Sequence, residues 1–279
     1  MIKRTLTAIV MIITLVPLLI LGGWFFTALG MVLSFIAGFE LLKMMEQKDE
    51  RFKRLKWIAP LYNALLVLSF KLVPEMVVPL VVLSILSFLA LSIFRPSFSI
   101  NSTINLIFVF IYSGLLMALT LSLRLLGKDT YFNQGFYLFV YLLITVIFTD
   151  MGAYFIGCSF GKHKLAPTIS PKKSVEGAIG GIVFGTLFGM AFYLVTTNYL
   201  IDYSFFGFNM QYEWVAVLFI SLFLTLATEI GDLVASKLKR HYGIKDYGNI
   251  FPGHGGVMDR FDSLIFTGAL LYALIITLV

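Results

Sequence analysis

The chain has 279 residues, of which 59% are hydrophobic and only 13% charged, with a formal net charge of +6 and a mean hydropathy of +0.93. Soluble domains run nearer half apolar and a quarter charged, so this composition excludes an ordinary soluble globule and predicts an all-α polytopic membrane protein. The single cysteine, Cys158, excludes an intrachain disulfide framework and reads as a small packing residue, and in such a chain the excess of cations speaks to topology, so no nucleic-acid partner is expected.

Taken in order, Met1 to Arg4 and the apolar run behind them resemble a signal peptide, but the run continues past Gly22-Gly23 to Leu42 without a small-residue cleavage site, which reads as a retained anchor. Thr5 to Leu42 is about 38 residues, twice what one span needs, with Gly22-Gly23 as the turn between spans one and two. A basic loop, Lys43 to Lys56, follows. Trp57 to Phe94 supplies spans three and four, broken at Lys71, Pro74 and Glu75; span three is short, carries Pro60 and Asn63, and could be re-entrant. After the breakers of Arg95 to Asn101 come span five (Ile104 to Leu126), the polar link Gly127 to Gln134, and span six (Phe136 to Ile156), which contains Asp150. The lysine-dense loop Gly161 to Gly177 leads into span seven (Ala178 to Leu200), where Gly181, Gly185 and Gly189 recur every four residues, a spacing that lets helices pack closely. A loop from Asp202 to Gln211 precedes span eight (Trp214 to Ala235), and Phe261 to Val279 is span nine.

The expected division is thus an N-terminal scaffold of helices, residues 1–126, for lipid access or dimerisation, and a catalytic region, 127–279, with cytoplasmic loops 158–177 and 236–260. Nine spans place the termini on opposite faces. Of the 21 Lys and Arg, 18 then fall on the N-terminal side, leaving Lys71, Arg124 and Lys128 opposite, so the positive-inside rule puts the N-terminus and both lysine-rich loops in the cytoplasm.

Chemistry concentrates between Ser236 and Asp262. Lys239, Arg240, Lys245 and Arg260 are fixed cations suited to phosphate oxygens, Asp232, Asp246, Asp259 and Asp262 are hard oxygen ligands, and Gly253, Gly255 and Gly256 allow backbone amides to approach an anion. Glu229, Asp232 and Ser236 share one face of span eight, and an acid at membrane depth is a functional candidate by default. If spans eight and nine pack side by side, Asp232 meets the Asp259/Asp262 pair and Asp246 folds in from the loop, the carboxylate set that holds Mg²⁺ together with water and substrate phosphate. The bland alternative is a solvated charge cluster with Lys239, Arg240 and Arg260. His254 suits a hydrogen bond to phosphate or a turn better than a metal. In the other loop, Ser170, Lys172, Lys173 and Ser174 stand just before span seven, where free helical amides favour anions; attraction to anionic headgroups is the competing reading. Asp150 is either a buried packing acid or a third element of the site.

Several of these runs resemble the signature of the phosphatidate cytidylyltransferases, or CDP-diacylglycerol synthases: Gly231-Asp232-Leu233, Ser236-x-x-Lys239-Arg240, Lys245-Asp246, Pro252-Gly253-His254-Gly255-Gly256 and Asp259-Arg260-x-Asp262. A second block, Asp150-x-Gly152-Ala153-Tyr154 through Gly161-Lys162-His163-Lys164 to Ser170-Pro171-Lys172-Lys173-Ser174-x-Glu176-Gly177, is similar to the same family. The likeness covers the C-terminal half, and the first 126 residues show only generic spans.

The resemblance implies transfer of CMP from CTP to phosphatidic acid, with CDP-diacylglycerol and pyrophosphate as products, at the cytoplasmic leaflet of the cell inner membrane, by a Mg²⁺-dependent enzyme often found as a homodimer. On this reading Asp232, Asp246, Asp259 and Asp262 hold one or two cations, while Lys239, Arg240, Lys245 and Arg260 stabilise charge on the transferring and leaving groups. Lys172, Lys173, Ser170, Ser174, Ser236, His254, Gly255 and Gly256 bind substrate. No general base is assigned, since phosphatidate is already anionic. A transporter of an anionic solute would show paired broken spans in two related halves, which are not seen. A CDP-alcohol phosphotransferase would carry an Asp-Gly-x-x-Ala-Arg run, which is absent. A CTP-dependent lipid kinase is separable only by its products.

Overall fold

The computed structural model describes residues 2–47, 56–94, 99–127, 132–201, 204–206 and 212–278, with side chains from Thr5 to Thr277. Lys48, Arg51, Lys53, Arg54, Arg95 and Lys128, and the head of the loop at Asp202, lie outside the described residues, as do the side chains of Lys3 and Arg4.

The helices are α1 (Ile2–Leu21), α2 (Gly23–Glu46), α3 (Ile58–Leu72), α4 (Val77–Phe94, entered by a single 3-10 turn at Pro74–Met76), α5 (Ile100–Val109), α6 (Leu116–Ser122), α7 (Gln134–Phe160), α8 (Val175–Tyr199), α9 (Glu213–His241) and α10 (Met258–Leu278). A π turn, Phe110–Leu115, joins α5 to α6. Seven helical stretches among the described residues are long and apolar enough to cross a membrane, and two, Thr5–Leu21 and Ile58–Leu72, are apolar but shorter. The reading as an all-α polytopic membrane protein is borne out.

The helices run further than the apolar cores that predict the spans. α7 continues to Phe160, α8 starts at Val175, and α9 carries Lys237, Lys239 and Arg240 on its last turns, so these cations stand on a helix and not in a loop. Apolarity marks only the part a hydrocarbon layer would contact, whereas Lys, Arg and Glu are themselves good helix formers. The segment expected as a loop between α7 and α8 contains an antiparallel hairpin, β1 (Lys164–Ala166) and β2 (Ser170–Ser174), with Lys164 opposite Ser174 and Ala166 opposite Ser170.

By contacts the chain forms two compact units, residues 1–125 with 242–261, and residues 126–241 with 262–279. The loop after α9 therefore clusters with the N-terminal helices.

In the first unit, Gly22 and Gly23 turn the chain with φ of 63° and 47°, left-handed values that other residues adopt at a cost. The helix end this turn creates leaves carbonyls without intrahelical donors. Arg124 answers them: almost wholly buried, it donates from Nε to the Leu19 oxygen at 2.8 Å and from Nη2 to the Ile20 oxygen at 3.1 Å. Asn63, the polar residue that made the third apolar run ambiguous, is fully buried and donates to Ser113 Oγ at 3.0 Å and to the Ser34 oxygen at 3.4 Å. Ser34 Oγ in turn donates to the Ser113 oxygen at 3.1 Å, so one polar seam joins α2, α3 and the π turn. Pro60 sits in the first turn of α3, where its missing N–H is harmless.

In the second unit, α7 and α8 make the most extensive helix pair, with α9 against both. A Cβ at Gly181 would stand 2.8 Å from the Thr149 oxygen, and one at Gly185 would collide with Thr149 Oγ1 and lie 2.6 Å from Thr225 Cγ2. The small-residue spacing thus works as expected. Between α9 and α10, Thr228 and Thr267 share a hydroxyl hydrogen bond of 2.9 Å, and Gly231 admits the Phe266 side chain.

Two substitutions test this frame. Gly185→Leu should destabilise the second unit by about 1–3 kcal/mol or more through overpacking, read as a fall in the thermal midpoint of the detergent-solubilised protein. Arg124→Met keeps most of the volume but strands the two carbonyls at the end of α1, and a loss of about 1–3 kcal/mol is expected in the same measurement.

Candidate functional site

Strand geometry decides which lysine of Lys172-Lys173 enters the interior. Neighbours on a strand point to opposite faces, and Lys172 is exposed while Lys173 is half-buried. The Lys173 Nζ lies 2.7 Å from Glu229 Oε2 and 2.7 Å from Asp232 Oδ2, two carboxylates one turn apart on α9. Burial works against the ammonium, but the charges of Asp232 and Glu229, with the hydrogen bonds to both, outweigh it and hold the amine above the ordinary lysine value of 10.5. Glu229 is buried, and its second oxygen, Oε1, has no hydrogen-bond partner.

A cavity of about 310 Å³ opens on this pair, lined by Asp150, Tyr154, Gly157, Cys158, Lys172, Lys173, Ser174, Glu229 and Asp232 among others. Asp150 feels the charges of Asp232, Lys173, Glu229 and Asp262. Asp150 and Glu229 thus both line the cavity. The sign of Glu229 in the sequence was an acid at membrane depth; its partner could not be read, because Lys173 is 56 positions away.

Around this centre, Ser174 Oγ accepts from the Gly177 N–H at 3.1 Å and caps α8, so its hydroxyl serves the fold as well as lining the cavity. Glu176 secures the hairpin by accepting from the backbone N–H groups of Lys162 and His163, and it lies 2.6 Å from His163 Nδ1. Ser170 starts β2, and Ser236 is half-buried on α9 one turn beyond Asp232. Asp262, buried at the start of α10, is 3.5 Å from Lys239 Nζ and accepts from the Ser263 N–H at 2.9 Å. Arg240 Nε donates to the Ile169 oxygen in the hairpin turn at 3.4 Å.

The remaining predicted residues belong to the first unit, in the loop after α9 and, for Asp259 and Arg260, on the first turn of α10. Lys245, Asp246, Asn249, Phe251, Pro252, Gly253, His254, Gly255 and Arg260 line a second cavity, of about 650 Å³. The Pro252-Gly253-His254-Gly255 turn closes through hydrogen bonds from the Phe251 N–H to the Gly255 oxygen (2.9 Å) and from the His254 N–H to the Phe251 oxygen (2.8 Å), with Gly253 and Gly255 at φ of 78° and 86°. Arg260 Nε donates to the His254 oxygen at 2.8 Å, and His254 Nδ1 is buried without a hydrogen-bond partner. Lys245 and Asp246 are exposed.

Asp259 is committed to this loop. Its Oδ2 accepts from the N–H groups of Tyr247 at 2.7 Å and Gly256 at 3.0 Å. The Gly256 amide, expected to face an external anion, thus faces an internal carboxylate. Glu40 of α2, an acid within the first double-length apolar run that is not among the expected site residues, takes the next two amides, Val257 at 3.1 Å and Met258 at 2.9 Å.

By contacts Asp232 and Asp262 fall in one unit and Asp246 and Asp259 in the other, although Asp259 and Asp262 stand one turn apart on α10. Among the described residues no three His, Cys, Asp or Glu side chains gather closely enough to cage a metal ion. The donors are all hard oxygens, and Glu229 Oε1 is an orphaned one, so the residues fit a hard cation that arrives with substrate phosphates and takes only one or two carboxylates from the protein. Chemically, the first centre is a buried ammonium held between carboxylates beside an open cavity, and the second is a tight polar turn presenting Lys245 and Arg260.

Residues 2–278 match the model of the cytidylyltransferase family. Similar proteins include the phosphatidate cytidylyltransferases of Staphylococcus aureus (strain COL), 34% identical over 275 residues, with 98% of each chain covered, and of Bacillus subtilis (strain 168), 35% identical over 279 residues, covering 98% of this chain and 97% of the other. That of Staphylococcus haemolyticus (strain JCSC1435) is 31% identical over 273 residues, again with 98% of each chain covered. Because the match runs through the N-terminal helices as fully as through the polar loops, the chain as a whole belongs to the cytidylyltransferase family.

Proposed function

We propose that the protein transfers the cytidylyl group of CTP to phosphatidic acid, forming CDP-diacylglycerol and releasing pyrophosphate. The observation that carries this reading is Lys173, set between Glu229 and Asp232 on the wall of a cavity lined by α7, α8, α9 and β2, and beside a second lysine, Lys172. The triad carries net negative charge, so the centre suits a phosphorylated lipid headgroup that arrives with a divalent cation, with the exposed Lys172 beside it. The naming of the full-length relatives as phosphatidate cytidylyltransferases supports the same substrates.

In this reaction a phosphate oxygen of phosphatidic acid attacks the α-phosphorus of CTP, and the bond from that phosphorus to the oxygen bridging to the β-phosphate breaks, so pyrophosphate leaves with the electron pair. The nucleophile is already an anion, and the protein's work is positioning and charge neutralisation. Lys173 and Lys172 hold the phosphate groups in the first cavity, with Asp232 and Glu229 keeping Lys173 charged and directed. Lys245 and Arg260 hold polyphosphate oxygens in the second, and Lys239 and Arg240 add positive potential at the end of α9. A divalent cation, which we take to be Mg²⁺, supplies further neutralisation of the triphosphate when bound. Asp232, Asp246, Asp259 and Asp262 are the candidates to hold it, and it would take one or two of them. The crowding of 18 of 21 Lys and Arg on one side of a nine-span arrangement supports an active centre on the cytoplasmic side of the cytoplasmic membrane.

The deciding experiment supplies purified protein with labelled CTP and phosphatidic acid. CDP-lipid and pyrophosphate should appear in equal amounts; release of CDP would instead identify a lipid kinase. Lys173→Met should lower kcat by about 10²–10³-fold, the scale of losing one preorganised electrostatic contact, and near-normal turnover would remove it from the site. Asp262→Asn should abolish turnover while the protein stays folded in detergent, and excess chelator should stop the reaction reversibly. The raised Lys173 pKa means its ion pairs are complete below about pH 10.5 and are lost only as pH rises through the folded value. A pH–rate profile between about pH 6 and 9 should accordingly show no limb that Lys173→Met removes.

A further inference from the structure

The segment from Tyr242 to Val257 carries Lys245, Asp246 and His254 but contains no helix or strand longer than an isolated bridge. Something outside it must hold its shape, since an irregular loop lined with polar groups has little hydrophobic contact of its own. Glu40 is that support. It lies on α2, is 3% exposed, and is an acid inside a helix long and apolar enough to span a membrane, a costly placement that asks for a reason.

Its two oxygens divide the work. Oε1 accepts from the Val257 N–H at 3.1 Å and Oε2 from the Met258 N–H at 2.9 Å, so the carboxylate forks onto consecutive amides at the start of α10. A helix N-terminus is where an external anion would bind, and here a side chain from another helix fills the place. Two glycines of the loop are shaped to it. A Cβ at Gly248 or at Gly256 would run into Glu40 Oε1, and neither glycine has a positive φ, so close approach and not backbone conformation requires glycine at both positions. α1 adds a lighter contact, with Thr7 Oγ1 donating to the Pro252 oxygen at 3.1 Å. Asp259 closes the far end by bonding Tyr247 and Gly256.

The geometry points to Glu40 as the positioning residue for the nucleotide-handling loop: the N-terminal helices reach into the reaction through one carboxylate that sets where Lys245, His254 and Arg260 stand. This rests on the proposed function for the identity of the nucleotide. It also has a chemical consequence. With the first amides of α10 engaged by Glu40 and the Gly256 amide by Asp259, the triphosphate is bound in this loop by side chains and not by the helix N-terminus.

The test uses full-length protein in detergent carrying Glu40→Gln, which keeps the size but replaces one accepting oxygen with a donor, and Glu40→Asp, which keeps both acceptors on a shorter arm. Amide hydrogen exchange at Val257, Met258 and residues 245–256 should rise at least tenfold in Glu40→Gln, with exchange in α7 and α8 unchanged. The KM for CTP should rise at least tenfold while that for phosphatidic acid stays within twofold, and Glu40→Asp should recover part of both effects. Wild-type exchange with a wild-type KM for CTP overturns the inference, and so does a loss confined to folded fraction or kcat with both KM values unchanged. Should wild-type protein make no CDP-lipid, the proposed function fails and the nucleotide role of Glu40 falls with it, while the exchange measurement still decides whether Glu40 anchors the loop.

Discussion

The interaction on which the second unit depends is the ammonium of Lys173 held between Glu229 and Asp232. Alone, any of the three would be too costly to keep charged among apolar helices; together they leave one net negative charge distributed over a cavity wall. The arrangement demands a strand just where the chain leaves the apolar region. β2 supplies it, because alternation sends Lys173 to the Glu229 and Asp232 carboxylates and leaves Lys172 exposed at the cavity's edge, and the hairpin is in turn pinned by Glu176 and capped onto α8 by Ser174. Removing one partner leaves a buried charge unanswered, which makes this group of residues indivisible in a way that the exposed lysines are not.

Close helix packing is the second condition. The glycines of α8 let α7 approach until backbone oxygens and hydroxyls of Thr145 and Thr149 touch it, and that approach brings Asp150 and Cys158 to the wall of the same cavity as Lys173. A larger residue on this seam would move the cavity wall as well as the helix. Stability and chemistry share one set of contacts here.

The first unit solves a different problem with the same element, a buried carboxylate. Its polar turn is irregular, and Glu40 and Asp259 between them take four backbone amides that would otherwise need water or a ligand. Glycines 248 and 256 are small because a carboxylate fills the space beside them, not because a phosphate must.

The membrane class, the double-length apolar runs, the turn at Gly22-Gly23 and the glycine spacing of α8 were legible in the chain itself, since each follows from hydropathy or local backbone preference. So were the polar loops and most of the polar side chains that line the two cavities, because lysine, aspartate and glycine clusters stand out against an apolar background. Tertiary structure alone decided the pairings. Lys173 with Glu229, Arg124 with the end of α1, and Glu40 with Val257 and Met258 join residues 56 to 218 positions apart. No periodicity records such contacts, for a buried charge chooses its partner by position in space, and an apolar run conceals how far its helix continues into polar sequence. For the same reason the partners of Asp232, Asp259 and Asp262 (Lys173, the Tyr247 and Gly256 amides, and Lys239) could not be read along the chain.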